Sequence, residues 1–93
     1  IMKKKPNKAM REAYRKVAEK GCIVCKVFYN CYSECEIHHL TGAGMGLRSQ
    51  NFVGLCPRHH RGQDGVHHNT KRFEERFGSQ ESLLKYYDEV LSD

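Results

Sequence analysis

Two cysteine and histidine pairs give this chain its clearest chemical signal. Cys22 and Cys25 are three residues apart, and Cys56 and His59 repeat that spacing further along. Each pair can supply two of the four ligands of a tetrahedrally coordinated ion, so together they predict a closed, structural Cys3His zinc site. Such a site contributes folding free energy that a core of this size supplies poorly. Buried free cysteines are an alternative, as is a redox pair at Cys22 and Cys25, which would need a βαβ context that the pattern lacks.

Four further residues leave room for a second zinc site. Cys31 and Cys35 are four residues apart, and His67 and His68 are adjacent. Both spacings are permissible for zinc, although they are a weaker signal than the first two pairs. His67 follows Gly65-Val66 and can instead turn back towards a catalytic ion. The expected zinc content is therefore one or two ions.

A histidine pair, His38 and His39, closes a short run in which apolar and polar residues alternate from Cys35. That alternation predicts a strand, in which consecutive side chains point to opposite faces. One imidazole can then bind a metal ion while its neighbour, if neutral, takes a proton from water near a phosphodiester. Taken alone, the pair is more typical of packed or surface histidines than of a catalytic site.

The elements that must position these residues form a small α+β domain. Residues 7–20 carry an apolar stripe with helical spacing, and residues 26–34 are expected to be irregular or a short β segment. Residues 51–55 are predicted to form the second strand. The glycine-rich connection at 42–46 is expected to turn between the strands or to approach a nucleic-acid backbone.

The C-terminal half is predicted to be helical. Pro57 is suited to the first position of a helix, which Gly62 and Gly65 should keep short. Thr70 and Ser79 are expected to cap two further helices that cover the small core. No stretch is long enough for a transmembrane helix, and the start does not resemble a signal peptide. We expect an intracellular, reduced protein.

Positive charge is concentrated at the start of the chain. Residues 1–20 hold eight Lys and Arg against two Glu, whereas the remainder holds eight basic and nine acidic residues. A basic arm fits sequence-independent attraction to a phosphate backbone, and a solubilising terminus is the alternative. The candidate nucleic-acid contacts are Lys3, Lys4, Lys5, Lys8, Arg48, Arg58 and Arg61.

The arrangement of His38, His39, Asn51 and His60 resembles the HNH signature of ββα-metal nucleases. The resemblance implies that His38 and His60 bind a catalytic Mg²⁺ or Mn²⁺ ion and that His39 is the general base. Asn51 would hold the loop that carries the base. The family often has a third metal ligand four residues after the last histidine, where Asp64 stands, with His67 as the competing candidate.

Longer motifs narrow the resemblance to the phage recombination-enhancement (Ref-type) nucleases. They are Cys35-Glu36-Ile37-His38-His39-Leu40, Gly44-x-Gly46, Leu55-Cys56-Pro57-x-His59-His60-Arg61, Gly65-Val66-His67 and Phe73-x-x-x-Phe77-Gly78. The resemblance implies a zinc-stabilised HNH domain over residues 21–93, preceded by a basic arm and helix over residues 1–20. It also implies a phage or prophage DNA endonuclease that acts in the bacterial cytoplasm, with DNA and a RecA filament as partners.

Two other functions are compatible with the composition. The first is a zinc-stabilised DNA-binding module that has lost catalysis, and the second is a zinc-organised protein-interaction domain. Neither needs a water-activating histidine beside a metal ligand, so the intact histidine set favours the nuclease.

Overall fold

The computed structural model describes residues 8–40 and 52–89, which form an α+β domain of five helices and two strands. The elements are α1 (Lys8–Lys20), α2 (Ile23–Phe28), β1 (Glu36–His39), β2 (Phe52–Leu55), α3 (Pro57–His60), α4 (Thr70–Phe77) and α5 (Gln80–Glu89). The α+β class is as predicted. Several predicted features lie outside the described residues: Lys3, Lys4, Lys5, the glycine-rich connection, Arg48 and Asn51.

The two strands form an antiparallel pair that carries the histidine pair near one end. His38 faces Val53 and His39 faces Phe52 across the sheet. His38 is 3% exposed, whereas His39 lies on the exposed side of β1. The predicted alternation is thus confirmed, and it separates the two imidazoles.

The core lies between β2 and the helices on both sides of it. Helix α1 packs against both strands, with the Tyr14 and Phe52 rings 4.5 Å apart. Helix α5 packs against α2 and β2, and the Tyr87 hydroxyl accepts a hydrogen bond from the Gly54 N–H at 2.9 Å. The short strand β2 is therefore buried along its whole length.

A close backbone approach at Gly54 brings the two zinc-binding segments together. A Cβ atom at this position would lie 2.8 Å from the Gly21 carbonyl oxygen and 2.6 Å from the Cys35 sulfur. Only glycine leaves room for the chain before Cys22 to lie this close to β2. The first cysteine pair is thereby held next to the end of β2, where Cys56 follows.

The expectation of an irregular or β segment over residues 26–34 is wrong in its first part, because α2 continues to Phe28. The Cys22 thiol accepts the Cys25 N–H at 3.4 Å, and the Cys22 carbonyl accepts the Lys26 N–H at 3.0 Å. The turn that spaces the two cysteines is thus also the first turn of a helix, and it propagates.

Helix α4 starts as expected, but its cap is Asn69 and not Thr70. The Asn69 side-chain oxygen accepts the Arg72 N–H at 3.0 Å, while the Thr70 hydroxyl donates to the Val66 carbonyl at 2.8 Å. Among the described residues, no helix is both long and apolar enough to cross a membrane.

Candidate metal centres and catalytic site

Four predicted zinc ligands meet in one buried cluster, which we term the Cys3His set: Cys22, Cys25, Cys56 and His59. The Cys25 and Cys56 sulfurs are 3.8 Å apart, and His59 Nδ1 lies 3.8, 3.6 and 3.2 Å from the sulfurs of Cys22, Cys25 and Cys56. Zinc–ligand bonds of tetrahedral geometry imply edges of about 3.8 Å between sulfurs and about 3.6 Å between sulfur and nitrogen. These atoms therefore fit one tetrahedral ion, and the set could hold a metal ion such as zinc.

The surroundings of the Cys3His set suit thiolate ligands. The Ser33 hydroxyl donates to the Cys25 sulfur at 3.4 Å. The Tyr29 ring is stacked near His59, with centroids 5.9 Å apart, and Phe77 meets the same imidazole edge-on at 5.5 Å. Burial raises the pKa of the Cys22 thiol to about 12. Burial also lowers the pKa of His59, so a cation would find a neutral imidazole and would have to displace the thiol proton.

A second cluster, termed here the three-histidine set, consists of His38, His60 and His67. The Nε2 atoms of His60 and His67 face each other at 3.1 Å. The His38 ring centroid is 5.2 Å from that of His60 and 5.0 Å from that of His67. His38 is buried, His60 is intermediate and His67 is exposed, so the set opens to solvent on one side. An open side is typical of catalytic metal sites, in contrast to closed structural ones.

The chain after α3 folds back so that His67 reaches His60. The Val66 N–H donates to the His59 carbonyl at 2.9 Å, and the His67 N–H donates to the His60 carbonyl at 3.0 Å. A Cβ atom on Gly65 would lie 2.7 Å from the His60 carbonyl carbon, so this return needs glycine. Gly65 therefore does more than keep the helix short, because it also lets His67 reach the set.

A carboxylate on β1 orients one of these histidines. Glu36 Oε1 lies 2.8 Å from His60 Nδ1, and Arg61 donates to both oxygens of the same carboxylate. Hydrogen bonds lower the pKa of Glu36 to about 2, and the bond from Arg61 has a larger effect than the bond from His60. With Nδ1 occupied, His60 leaves Nε2 as the nitrogen that could bind an ion, which would be the carboxylate–histidine–metal arrangement common in metalloproteins.

The structure separates the two candidates for the third ligand. His67 lies in the three-histidine set, whereas Asp64 pairs with Arg58 at 2.7 Å and with Arg76 at 3.5 Å. Arg58 holds the pKa of Asp64 below its ordinary value. Asp64 therefore lies with two arginines and not with the histidines.

The residues considered for a second zinc site do not come together. The Cys35 thiol contacts the Val17 carbonyl at 3.7 Å and belongs to neither set, and Cys31 and His68 are exposed. Within residues 8–40 and 52–89, these two cysteines and His68 join no metal-binding group.

The proposed general base, His39, lies on the opposite face of β1 from His38. Its Nε2 atom is 3.3 Å from the Tyr14 hydroxyl, and its ring packs near Phe52. Sequence reasoning did not identify Tyr14 or Glu36 as site residues. Glu36 stands two residues before His38, so strand periodicity could have placed it on the metal face. Tyr14 comes from a distant helix and had no comparable signal.

Two of the candidate DNA-binding arginines are engaged on the surface. Arg58 pairs with Asp64, and Arg61, whose side chain is 65% exposed, pairs with Glu36 at 2.8 Å. Lys8 is exposed at the start of α1. Each arginine could reach a phosphate only by sharing or leaving its carboxylate partner.

Comparison with known families decides the assignment. The family described as recombination enhancement, RecA-dependent nuclease matches residues 6–92. The chain belongs to this family. Membership indicates a nuclease, hence a hydrolase, whose action involves DNA and RecA. Searches among curated proteins and among solved structures found no match.

Proposed function

We propose that this member of the RecA-dependent nuclease family is an HNH-type DNA endonuclease that depends on a catalytic metal ion. The observation that carries the proposal is the three-histidine set, open to solvent, with His39 directly after its buried member. A second, closed Cys3His set supports it, because that set can hold a structural zinc ion and leave the open set for catalysis.

The proposed roles follow from the positions of the side chains. His38, His60 and His67 would hold the ion, which when bound would stabilise the charge that develops on the phosphate and on the leaving 3′ oxygen. His39 takes the proton from the attacking water. Its imidazole is exposed, and the three other histidines can hold the ion without it. By resemblance to HNH nucleases, Asn51 holds the loop that carries the base.

The ligand atoms favour Mn²⁺ over Mg²⁺ as the catalytic ion. Mg²⁺ prefers oxygen ligands, whereas imidazole suits transition metals. The three-histidine set contains only imidazoles, and its carboxylate neighbour Glu36 is occupied by His60 and Arg61. We therefore expect cleavage with Mn²⁺ to exceed cleavage with Mg²⁺.

The substrate is proposed to be DNA held first through its backbone. Five basic residues would attract phosphates: Lys3, Lys4, Lys5, Lys8 and Arg48. Arg58 and Arg61 lie beside the Cys3His set and the three-histidine set. The family description supports a RecA filament on DNA as the partner. A phage or prophage origin and action in the bacterial cytoplasm complete the proposal.

A plasmid-nicking assay tests the function. Supercoiled DNA is incubated with the protein and Mn²⁺, with and without RecA filaments on a homologous single strand. His39→Ala should lower the cleavage rate ~10²–10⁴-fold, the usual contribution of a positioned base, with zinc content and DNA binding close to wild type. His68→Ala is the matched control, because His68 is an exposed histidine outside both sets, and it should cut normally.

The metal ligands should behave differently from the base. His38→Ala and His60→Ala should weaken the catalytic ion, a defect that added Mn²⁺ partly rescues. Normal cleavage by His39→Ala, together with failure of His38→Ala at high Mn²⁺, would reverse the two roles. Normal cleavage by both variants would exclude an HNH mechanism, and the zinc-stabilised binding module would become the better interpretation.

A further inference from the structure

Gln80 is a buried polar residue that belongs to neither the Cys3His set nor the three-histidine set. It is the first residue of α5 and is only 5% exposed. Its side-chain oxygen lies 2.8 Å from His38 Nε2, and its side-chain nitrogen donates to Glu74 on α4 at 3.1 Å. The amide thus bridges a metal-ligand histidine and a carboxylate from a different helix.

The donors and acceptors in this bridge allow one consistent arrangement. A carboxylate accepts hydrogen bonds and does not donate them, so Glu74 must face the NH₂ group of Gln80. The Gln80 oxygen then faces His38, and because this oxygen only accepts, His38 Nε2 must carry the hydrogen. A neutral imidazole with its hydrogen on Nε2 has its lone pair on Nδ1.

We propose that Gln80, oriented by Glu74, is a positioning residue that holds His38 in the Nε2–H form and presents Nδ1 to the catalytic ion. The identity of that ion rests on the proposed function; the hydrogen-bond relay does not. Partners of this kind commonly fix the form and orientation of a ligand histidine.

The relay complements the one on the other side of the three-histidine set. Glu36 occupies Nδ1 of His60 and leaves Nε2, which faces the Nε2 atom of His67 at 3.1 Å. Gln80 occupies Nε2 of His38 and leaves Nδ1. A strand residue and a helix residue would thus bind one ion through different nitrogens, each selected by its own hydrogen-bond partner.

The first experiment determines which nitrogen of the His38 imidazole carries the hydrogen. Long-range ¹H–¹⁵N correlation spectra of the ¹⁵N-labelled, zinc-loaded chain, without added Mn²⁺, report which nitrogen of His38 is protonated. We expect hydrogen on Nε2 in the wild type. Hydrogen on Nδ1 would overturn the proposal, whether or not the protein proves to be a nuclease.

The second experiment measures Mn²⁺ binding by titration calorimetry. Gln80→Met keeps the volume but removes the acceptor, and the affinity for Mn²⁺ should fall ~10–100-fold. Gln63→Met removes an exposed glutamine and should bind as the wild type does. Equal affinities for Gln80→Met and wild type would overturn the proposal.

Exchanging the side chains of residues 74 and 80 keeps the net charge. It distinguishes loss of the Glu74–Gln80–His38 hydrogen-bond relay from general damage to the fold. The double variant Glu74→Gln with Gln80→Glu keeps the composition and keeps an acceptor facing His38, so its Mn²⁺ affinity and His38 spectrum should return to near wild type. An exchange that folds, keeps its zinc and still binds Mn²⁺ as weakly as Gln80→Met would refute the relay. If wild type neither binds Mn²⁺ nor cuts DNA, the proposed function fails, and the His38 spectrum alone decides the relay.

Discussion

Removing the ion from the Cys3His set should unfold the domain. The four ligands are buried and join α2 to the segment of β2 and α3. A domain of this length has a free energy of unfolding of about 5–14 kcal/mol. A structural zinc ion contributes roughly 10–16 kcal/mol at neutral pH. Since the zinc contribution is as large as the upper half of the range for the unfolding free energy or larger, loss of zinc should remove most or all of the stability.

The substitution that tests this is Cys56→Ser. The Cys56 sulfur lies 3.8 Å from that of Cys25 and 3.2 Å from His59 Nδ1, so it completes the set, and a serine would replace one of its three thiolates by a poorer zinc ligand. Cys31→Ser is the matched control, because Cys31 is an exposed thiol outside the set. It should retain the wild-type zinc content and melting temperature.

Circular dichroism melts and mass-spectrometric zinc analysis provide the measurements. Wild type should hold zinc and melt cooperatively, and it should lose helical signal when a strong chelator is added. Cys56→Ser should resemble the chelated protein. A chelated sample free of zinc that still melts cooperatively near the wild-type temperature would refute the argument that the ion replaces a larger core.

Three further predictions concern metal affinity, stability and DNA binding. Glu36→Ala removes the acceptor from His60, a proposed metal ligand, and should lower Mn²⁺ affinity ~10–100-fold by calorimetry, whereas Glu34→Ala, an exposed neighbour, should not. Tyr87→Phe leaves the Gly54 N–H without its acceptor and should cost about 1–3 kcal/mol in denaturant unfolding. Burial raises the pKa of Tyr87 above its ordinary value of 10.0, so the stability tied to its neutral form is complete below pH 10 and is lost as the pH rises further; the phenylalanine variant should lack this alkaline loss. Deleting residues 1–8 removes four lysines and should flatten the dependence of log K on log salt for DNA, by about 0.9 per lost phosphate contact; an unchanged slope would mean that the arm does not touch DNA.

The local parts of the structure were predictable because short-range rules govern them. The strand around His38 followed from alternation, and the short helix at Pro57 followed from the proline and the glycines after it. The pairing of cysteines with His59 followed from spacing that a tetrahedral ion requires. Helix α2 extends further than predicted, because the turn that spaces Cys22 and Cys25 is also its first helical turn.

Residue types and spacing by themselves determined the cluster of candidate zinc ligands, the separation of His38 from His39 and the α+β class. Only the tertiary structure places His67, and not Asp64, beside His38 and His60, since the return of the chain at Gly65 depends on backbone contacts with His60 that no linear spacing encodes. The same holds for Gln80, which lies 42 residues after His38 and reaches it only because α5 packs beside the sheet. Ligands that share one turn can be read from the sequence, whereas partners that orient a ligand from a distant helix depend on how the whole core packs.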